Sequence, residues 1–267
     1  MNRRSFLAAT LLPLAACKKS DTTTTPGASG PALRIGMELT YAPFEMKDTA
    51  GNPDGVGVRL AEALAADLGR PLKIVDMGFD GLIPALQEGT IDLILSSMTA
   101  TDERRKSIDF SEPYAFTGLA LLVPKNSDVQ SVEDLKKGQR TIAAKSTTTG
   151  ETWAINNLPD AKRTIFDDQN ACVLEVAQGR ADAFIYDQLS LFKYGQEHAD
   201  TTRALLKPFV EENWAIGIKK GNDALREQVN TFLAHFRAAD GFAKLGERYL
   251  AEEKRLLEGM GIPFILR

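Results

Sequence analysis

The sequence predicts an α/β protein of two lobes, each a mostly parallel sheet flanked by helices. From Leu33 onward, short apolar runs of strand length alternate with segments of helical period, the pattern of parallel strands covered on both faces. The alternation comes in two successive series, joined near residues 115–118 without a long linker, so the lobes are expected to pair closely. A chain of 267 residues is long enough for one large domain or two modest ones.

The first series opens with a strand at 33–37. Val58, Ala61, Leu64, Ala65 and Leu68 then sit at helical spacing, and Gly69 stops the helix. A strand at 72–75, a short helix at 82–87, a strand at 93–95 and a helix over 101–106 follow, the last with Thr101 as its cap. The second series reads as strand 119–123, helix from Val132, strand 141–144, helix from Thr149, strand 164–166, helix 171–178 and strand 183–186. A return strand at 213–218 leads into two terminal helices, roughly 223–239 and 241–254, which are placed to complete a discontinuous first lobe. The expected division is lobe 1 over 32–117 and 215–267, with lobe 2 over 118–214.

Ahead of the folded body, Met1-Asn2-Arg3-Arg4 precedes an apolar stretch from Phe6 to Ala16, ending in Leu14-Ala15-Ala16-Cys17. A basic start, a short apolar centre and small residues before a cut mark a secretory signal, too short and wrongly flanked to span a membrane. Leu-Ala-Ala-Cys resembles the bacterial lipobox. Residues 1–16 therefore read as a signal peptide, and Cys17 as a diacylated first mature residue anchoring the protein to a bacterial membrane. Arg3-Arg4 also resembles a twin-arginine export signal. Residues 17–31, rich in Lys, Thr, Ser, Gly and Pro, have little to bury and read as a flexible tether. Cys172 is then the single cysteine of the folded body, which rules out an intramolecular disulfide there.

Several chemistries find no support. A net charge of −4 argues against nucleic acid as a partner. No nucleotide-binding Gly-x-x-x-x-Gly-Lys loop, Gly-x-Ser-x-Gly elbow or Cys-x-x-Cys pair occurs. His198 and His235 stand far apart without the partners a metal or a general base requires, so no metal or cofactor site is expected.

Polar residues instead cluster at strand ends, where open α/β sheets bind ligands. After the strand at 93–95 come Ser97 and Thr99 hydroxyls and then Arg104, whose planar fork suits a carboxylate near a helix N-terminus. Lys145-Ser146-Thr147-Thr148-Thr149-Gly150 leaves another strand for a helix. Its amides could hold an anion, with Thr149 as cap and contact, or its threonines could simply cap. Asp187 closes the strand at 183–186, where its carboxylate could receive an ammonium or cap the next helix. Tyr41, Phe44 and Phe79 offer aromatic walls, although most such rings are core. A fork, amides, a carboxylate and aromatic walls together describe a site for a zwitterion.

These residues resemble the bacterial extracellular solute-binding proteins for polar amino acids. The likeness is carried by 79–87 (Phe-Asp-Gly-Leu-Ile-Pro-Ala-Leu-Gln), Ile91-Asp92-Leu93, 99–106 (Thr-Ala-Thr-Asp-Glu-Arg-Arg-Lys) and 108–114 (Ile-Asp-Phe-Ser-Glu-Pro-Tyr), with 41–45, 147–151 and 179–183 also similar. The resemblance implies a two-lobe periplasmic-binding-protein-like clamshell of type II with hinge strands near 116–119 and 215–217. It implies that Arg104 and Thr149 hold the ligand carboxylate. Thr99, Asp187 and the Ser97 backbone hold the amino group, and Tyr41 and Phe79 flank the side chain. Glu38 and Lys145 match positions that set side-chain preference: Lys145 would repel a basic side chain, Glu38 would welcome one, and the two could pair across the cleft. A neutral polar ligand such as glutamine is favoured. The implied partners are this amino acid and the membrane subunits of an ABC import permease, the protein acting as a monomer without enzymatic activity. Relatives also include cyclohexadienyl dehydratases, for which Glu38 or Glu151 could supply the cleft acid, and a ligand-sensing lipoprotein would share the same site.

Overall fold

The computed structural model describes residues 29–261 and 263–266. The signal at 1–16, the lipidation at Cys17 and most of the tether lie outside the described residues.

The first strand, β1 (Leu33–Met37), is buried along nearly its whole length. The short strands β2 (Met46–Lys47) and β3 (Pro53–Asp54) lead into α1 (Val56–Asp67), and then come β4 (Leu72–Asp76), α2 (Leu82–Glu88), β5 (Leu93–Ile94), α3 (Asp102–Ser107) and the long β6 (Ile108–Pro124). The chain continues through β7 (Thr141–Lys145), α4 (Thr149–Asn157), β8 (Lys162–Phe166), α5 (Gln169–Ala177), β9 (Ala183–Asp187), α6 (Gln188–Glu197) and the long β10 (Thr202–Lys219). It ends in α7 (Asp223–Ala238), α8 (Gly241–Tyr249) and α9 (Ala251–Gly259).

Eight strands make one sheet in the order β4-β1-β5-β10-β6-β9-β7-β8. Pairing is parallel between β1 and its neighbours β4 and β5, and between β7 and its neighbours β8 and β9. It is antiparallel where β10 and β6 run through the middle. Sequence analysis sees only pieces of these two central strands, 119–123 and 213–218. Ser111-Glu112-Pro113 in β6 and Lys207-Pro208 in β10 interrupt the apolar pattern. The strands nevertheless pair with each other, with register shifts between Leu205 and Val210 and on either side of Ala215.

Each half of the sheet has apolar cover on both faces, because successive side chains of a strand point opposite ways. Leu93 joins the cluster that contains β1 and α1, whereas Ile94 joins the one built around α2. Leu119, Leu121 and Val123 pack with Ala154 of α4, while Ala120 and Leu122 pack with Cys172 and Val173 of α5. Phe232, Phe242, Leu245 and Leu257 of the last three helices belong to the same cluster as β1 and α1.

The helix expected over 241–254 is two helices. Leu250 leaves helical geometry at φ −132° and is fully buried, so the chain breaks its period to place that side chain in the core. Residues 132–136 form a 3₁₀ turn, not the start of a longer helix. The tail, unassigned from sequence, returns to β6: the Phe116 amide donates to the Ile265 carbonyl at 2.9 Å, and Leu266 bridges Ala115.

Gly150 lets α4 sit directly on β9, since a methyl group there would meet the Ile185 carbonyl oxygen at 2.2 Å. Gly150→Ala is expected to destabilise the fold by about 1–3 kcal/mol through overpacking against backbone. A urea melt with an unchanged midpoint would contradict that packing.

Candidate functional site

The segments leaving β1, β5, β7 and β9 at their C-terminal ends converge on one cleft, with about 470 Å³ of space partly open to solvent. Of the residues singled out in the sequence, Glu38, Tyr41, Phe79, Ser97, Thr99, Arg104, Thr149 and Asp187 line it. Lys145 does not. It lies buried behind Glu38, its side chain only 2% exposed.

Arg104 is the cation of the cleft. It stands in the short helix α3, capped by Thr101, whose hydroxyl accepts from the Arg104 amide at 3.2 Å. Its guanidinium lies over the Phe79 ring, 5.4 Å from the centroid. It donates to the carbonyls of Thr99 at 2.8 Å and Thr147 at 3.0 Å, so it links the segment after β5 to the segment after β7. Among the described residues no carboxylate lies within ion-pair distance of it. Burial pushes its pKa down to about 10, partly offset by attraction to Glu212. A partly desolvated cation whose hydrogen bonds go to carbonyls and which has no ion-paired carboxylate favours an incoming anion.

The opposite charge comes from Asp187. One carboxylate oxygen caps α6, accepting from the Leu189 and Ser190 amides at 3.1 and 2.9 Å; the other accepts from the Tyr41 hydroxyl at 2.5 Å. Burial raises the Asp187 pKa, and these hydrogen bonds pull it back. Both sequence readings of Asp187, cap and cleft carboxylate, are thus present in one residue. The Tyr41 ring stands edge-on to Tyr186 and Trp214, each 6.0 Å away. Phe44 is core, 1% exposed and stacked beneath Tyr41.

Glu38 and Lys145 do pair, in a contact that joins the residue after β1 to the last residue of β7. Lys145 Nζ also donates to Gln169 Oε1 at 2.7 Å, and Gln169 Nε2 donates to the Thr40 carbonyl at 2.6 Å. Each charge therefore has its answer within the protein.

Two expectations are corrected. The cap of α4 is Thr148, whose hydroxyl accepts from the Glu151 amide; Thr149 is the first helical residue, which turns its side chain to the cleft. Glu151 is not a cleft acid. It folds back to accept from the Thr147 amide at 2.6 Å, relieving a loop in which Thr147 has φ +60°.

Sequence reasoning missed Glu212, Trp214, Tyr186 and Gln169. Glu212 and Trp214 belong to the part of β10 whose polar content hides the strand, although the Glu211-Glu212 pair running into Trp214 was a usable signal. Glu212 accepts from the Thr99 hydroxyl at 3.2 Å. Burial raises its pKa, against hydrogen bonding by the Thr149 and Thr99 hydroxyls.

Behind the cleft, Glu45 is fully buried. Its Oε2 accepts from the Ser97 hydroxyl at 2.9 Å, which holds the strained Ser97 backbone, φ +49°. Burial pushes the Glu45 pKa well up, with a smaller push from the Glu38 charge. A carboxyl whose folded pKa is raised favours the folded state in its protonated form, so its stability contribution is lost as pH rises above the ordinary carboxylate range. Glu45→Gln, which mimics the protonated form, is expected to gain stability over wild type as pH goes from about 4 to 8. Thermal melts with a pH-independent difference between the two proteins would refute it.

An α/β fold with a cleft of charged and aromatic residues across its strand ends is an architecture of ligand-binding proteins. This chain belongs to the bacterial extracellular solute-binding proteins, family 3, whose family model matches residues 33–252. The "Probable histidine-binding protein" of Neisseria gonorrhoeae is 29% identical over 264 residues, covering 95% of this chain and 98% of that protein. The L-cystine-binding protein TcyJ of Escherichia coli K12 is 28% identical over 223 residues, covering 83% of each. Among solved structures, an ancestral arginine-binding protein bound to glutamine matches with a TM-score of 0.77 at 33% identity, covering 84% of this chain and 100% of that one. An ancestral amino acid-binding protein described as a precursor of cyclohexadienyl dehydratase matches with a TM-score of 0.74 at 36% identity, covering 82% and 94%. Among the described residues no helix is long and apolar enough to cross a membrane.

Proposed function

We propose that this protein captures a polar L-amino acid in the cleft and delivers it to an ABC import permease. The half-buried, carbonyl-held guanidinium of Arg104 carries this reading, because it is a charge that a ligand carboxylate completes. Arg104 and Thr149 take the carboxylate, while Thr99, Asp187 and the Ser97 backbone take the ammonium. Tyr41 and Phe79 flank the side chain. Glu38 and Lys145 neutralise each other at the far end, so neither an acidic nor a basic side chain meets an unanswered charge there. That supports a neutral polar ligand such as glutamine. The relatives named above bind different amino acids, so the preference rests on this pair and not on kinship.

In this reading the lobes are residues 32–117 with 215–267, and 118–214, and they close about β6 and β10. The ligand touches both lobes in the closed form, and those extra contacts shift the open–closed equilibrium toward it. The closed form is what the permease engages. The N-terminal segment supplies export and a lipid anchor at Cys17.

Four measurements test this. In a thermal-shift panel of the twenty amino acids, one or a few L-amino acids are expected to raise the Tm, since a ligand that binds only the folded state stabilises it. Arg104→Ala is expected to weaken binding of those amino acids by about 2–5 kcal/mol. No shift with any amino acid, or wild-type affinity in the variant, would overturn the site; steady conversion of prephenate to phenylpyruvate would favour the dehydratase alternative. For the anchor, mass spectrometry of the mature protein is expected to show a diacylated Cys17 that Cys17→Ser abolishes. An unmodified N-terminus beyond residue 17 would count against it.

A further inference from the structure

Glu212 lines the cleft from β10, yet the functional reading so far gives it no work. Its carboxyl accepts from the Thr99 hydroxyl at 3.2 Å, and the Thr149 hydroxyl lies beside it, so residues following β5 and β7 meet on this one group. It is not the counter-ion of Arg104. Among the described residues that guanidinium has no carboxylate at ion-pair distance, and its hydrogen bonds go to carbonyls. Asp187 is near enough to act on Glu212 electrostatically.

Three carboxyls and one guanidinium therefore line the cleft: Glu38, Asp187, Glu212 and Arg104. Glu38 is answered by Lys145. Asp187 has the Tyr41 hydroxyl and two amides, dipoles without charge. Glu212 has hydroxyls as hydrogen-bond partners and only the more distant attraction of Arg104 as a charge. A carboxylate arriving on Arg104 and Thr149 would add a further negative charge beside Glu212, which is unfavourable unless the same ligand brings a cation on the adjacent atom.

Resting on the amino-acid reading above, we infer that Glu212 joins Asp187 in a two-carboxylate pocket for the ligand's α-ammonium group, making it a specificity-determining residue that selects amines over the corresponding hydroxy acids. An ammonium placed between two carboxylates relieves their mutual repulsion, whereas a hydroxyl leaves it in place. The pocket also couples binding to protons. Both carboxyls must be ionised to hold the ammonium, and burial raises the pKa of each, so acidification opposes binding. The other ionisable groups around Glu212 are Arg104, which favours its ionised form, and Glu38, Tyr41 and Tyr186 of the cleft wall.

Isothermal titration tests this with L-glutamine, L-histidine and L-arginine, each beside the analogue carrying a hydroxyl in place of the α-ammonium. Wild type is expected to bind at least one of the amino acids and to reject its hydroxy analogue. Glu212→Gln, which keeps size and hydrogen bonding, is expected to lose about 10- to 100-fold in affinity for the amino acid. It should bind the hydroxy acid as well as or better than wild type, and its affinity should fall less steeply between pH 8 and pH 5. Glu212→Ala should show the same loss of discrimination should the glutamine variant fold poorly. Unchanged amino-acid affinity in the variant, binding of the hydroxy acid by wild type as tight as that of the amino acid, or an unchanged pH profile, would overturn the inference while leaving the amino-acid site standing. Absence of binding by wild type would overturn both.

Discussion

The antiparallel ladder between β6 and β10 is the constraint on which the site depends. Each strand runs through both halves of the sheet, so elements far apart in sequence take their positions from the same rails. The segment after β5 is tied to β10 by the Ala100 amide on the Asn213 carbonyl and the Ala215 amide on the Met98 carbonyl, both 3.1 Å, with Thr99 bridging Trp214 between them. On the other side, Leu119 of β6 registers with Asp187 of β9. The groups proposed for the carboxylate and the ammonium are thereby held against one framework.

Charge in the cleft is managed locally. A net of −4 over the whole chain is too mild a field to steer a small ligand, so recognition has to come from individual buried and half-buried groups. Burial makes each of them costly to leave unanswered. Lys145 answers Glu38, a hydroxyl and two amides answer Asp187, and carbonyls partly answer Arg104. The strained backbones at Ser97 and Thr147 lie where the chain turns these groups inward, and each is stabilised by a carboxylate, Glu45 on the Ser97 hydroxyl and Glu151 on the Thr147 amide.

Much of this was legible in the sequence. Period and breakers alone place β1, α1 and its stop at Gly69, the capped start of α3, and the polar residues after β5, β7 and β9, because local backbone preference and one-sided burial act over a few residues at a time. That is why the fold class and the cleft-lining residues Ser97, Thr99, Arg104, Thr149 and Asp187 are legible in the sequence. Tertiary structure decided what local pattern cannot encode. β6 and β10 survive Pro113 and Pro208 because each pairs with the other. The helix at 241–249 ends where the core takes Leu250. Lys145 is withdrawn from the cleft by Glu38, more than a hundred positions away. Glu212 enters the site only because a strand that looks broken in sequence continues through it. Each outcome depends on contacts between residues distant in the chain, whose energies outweigh the local preferences that a sequence displays.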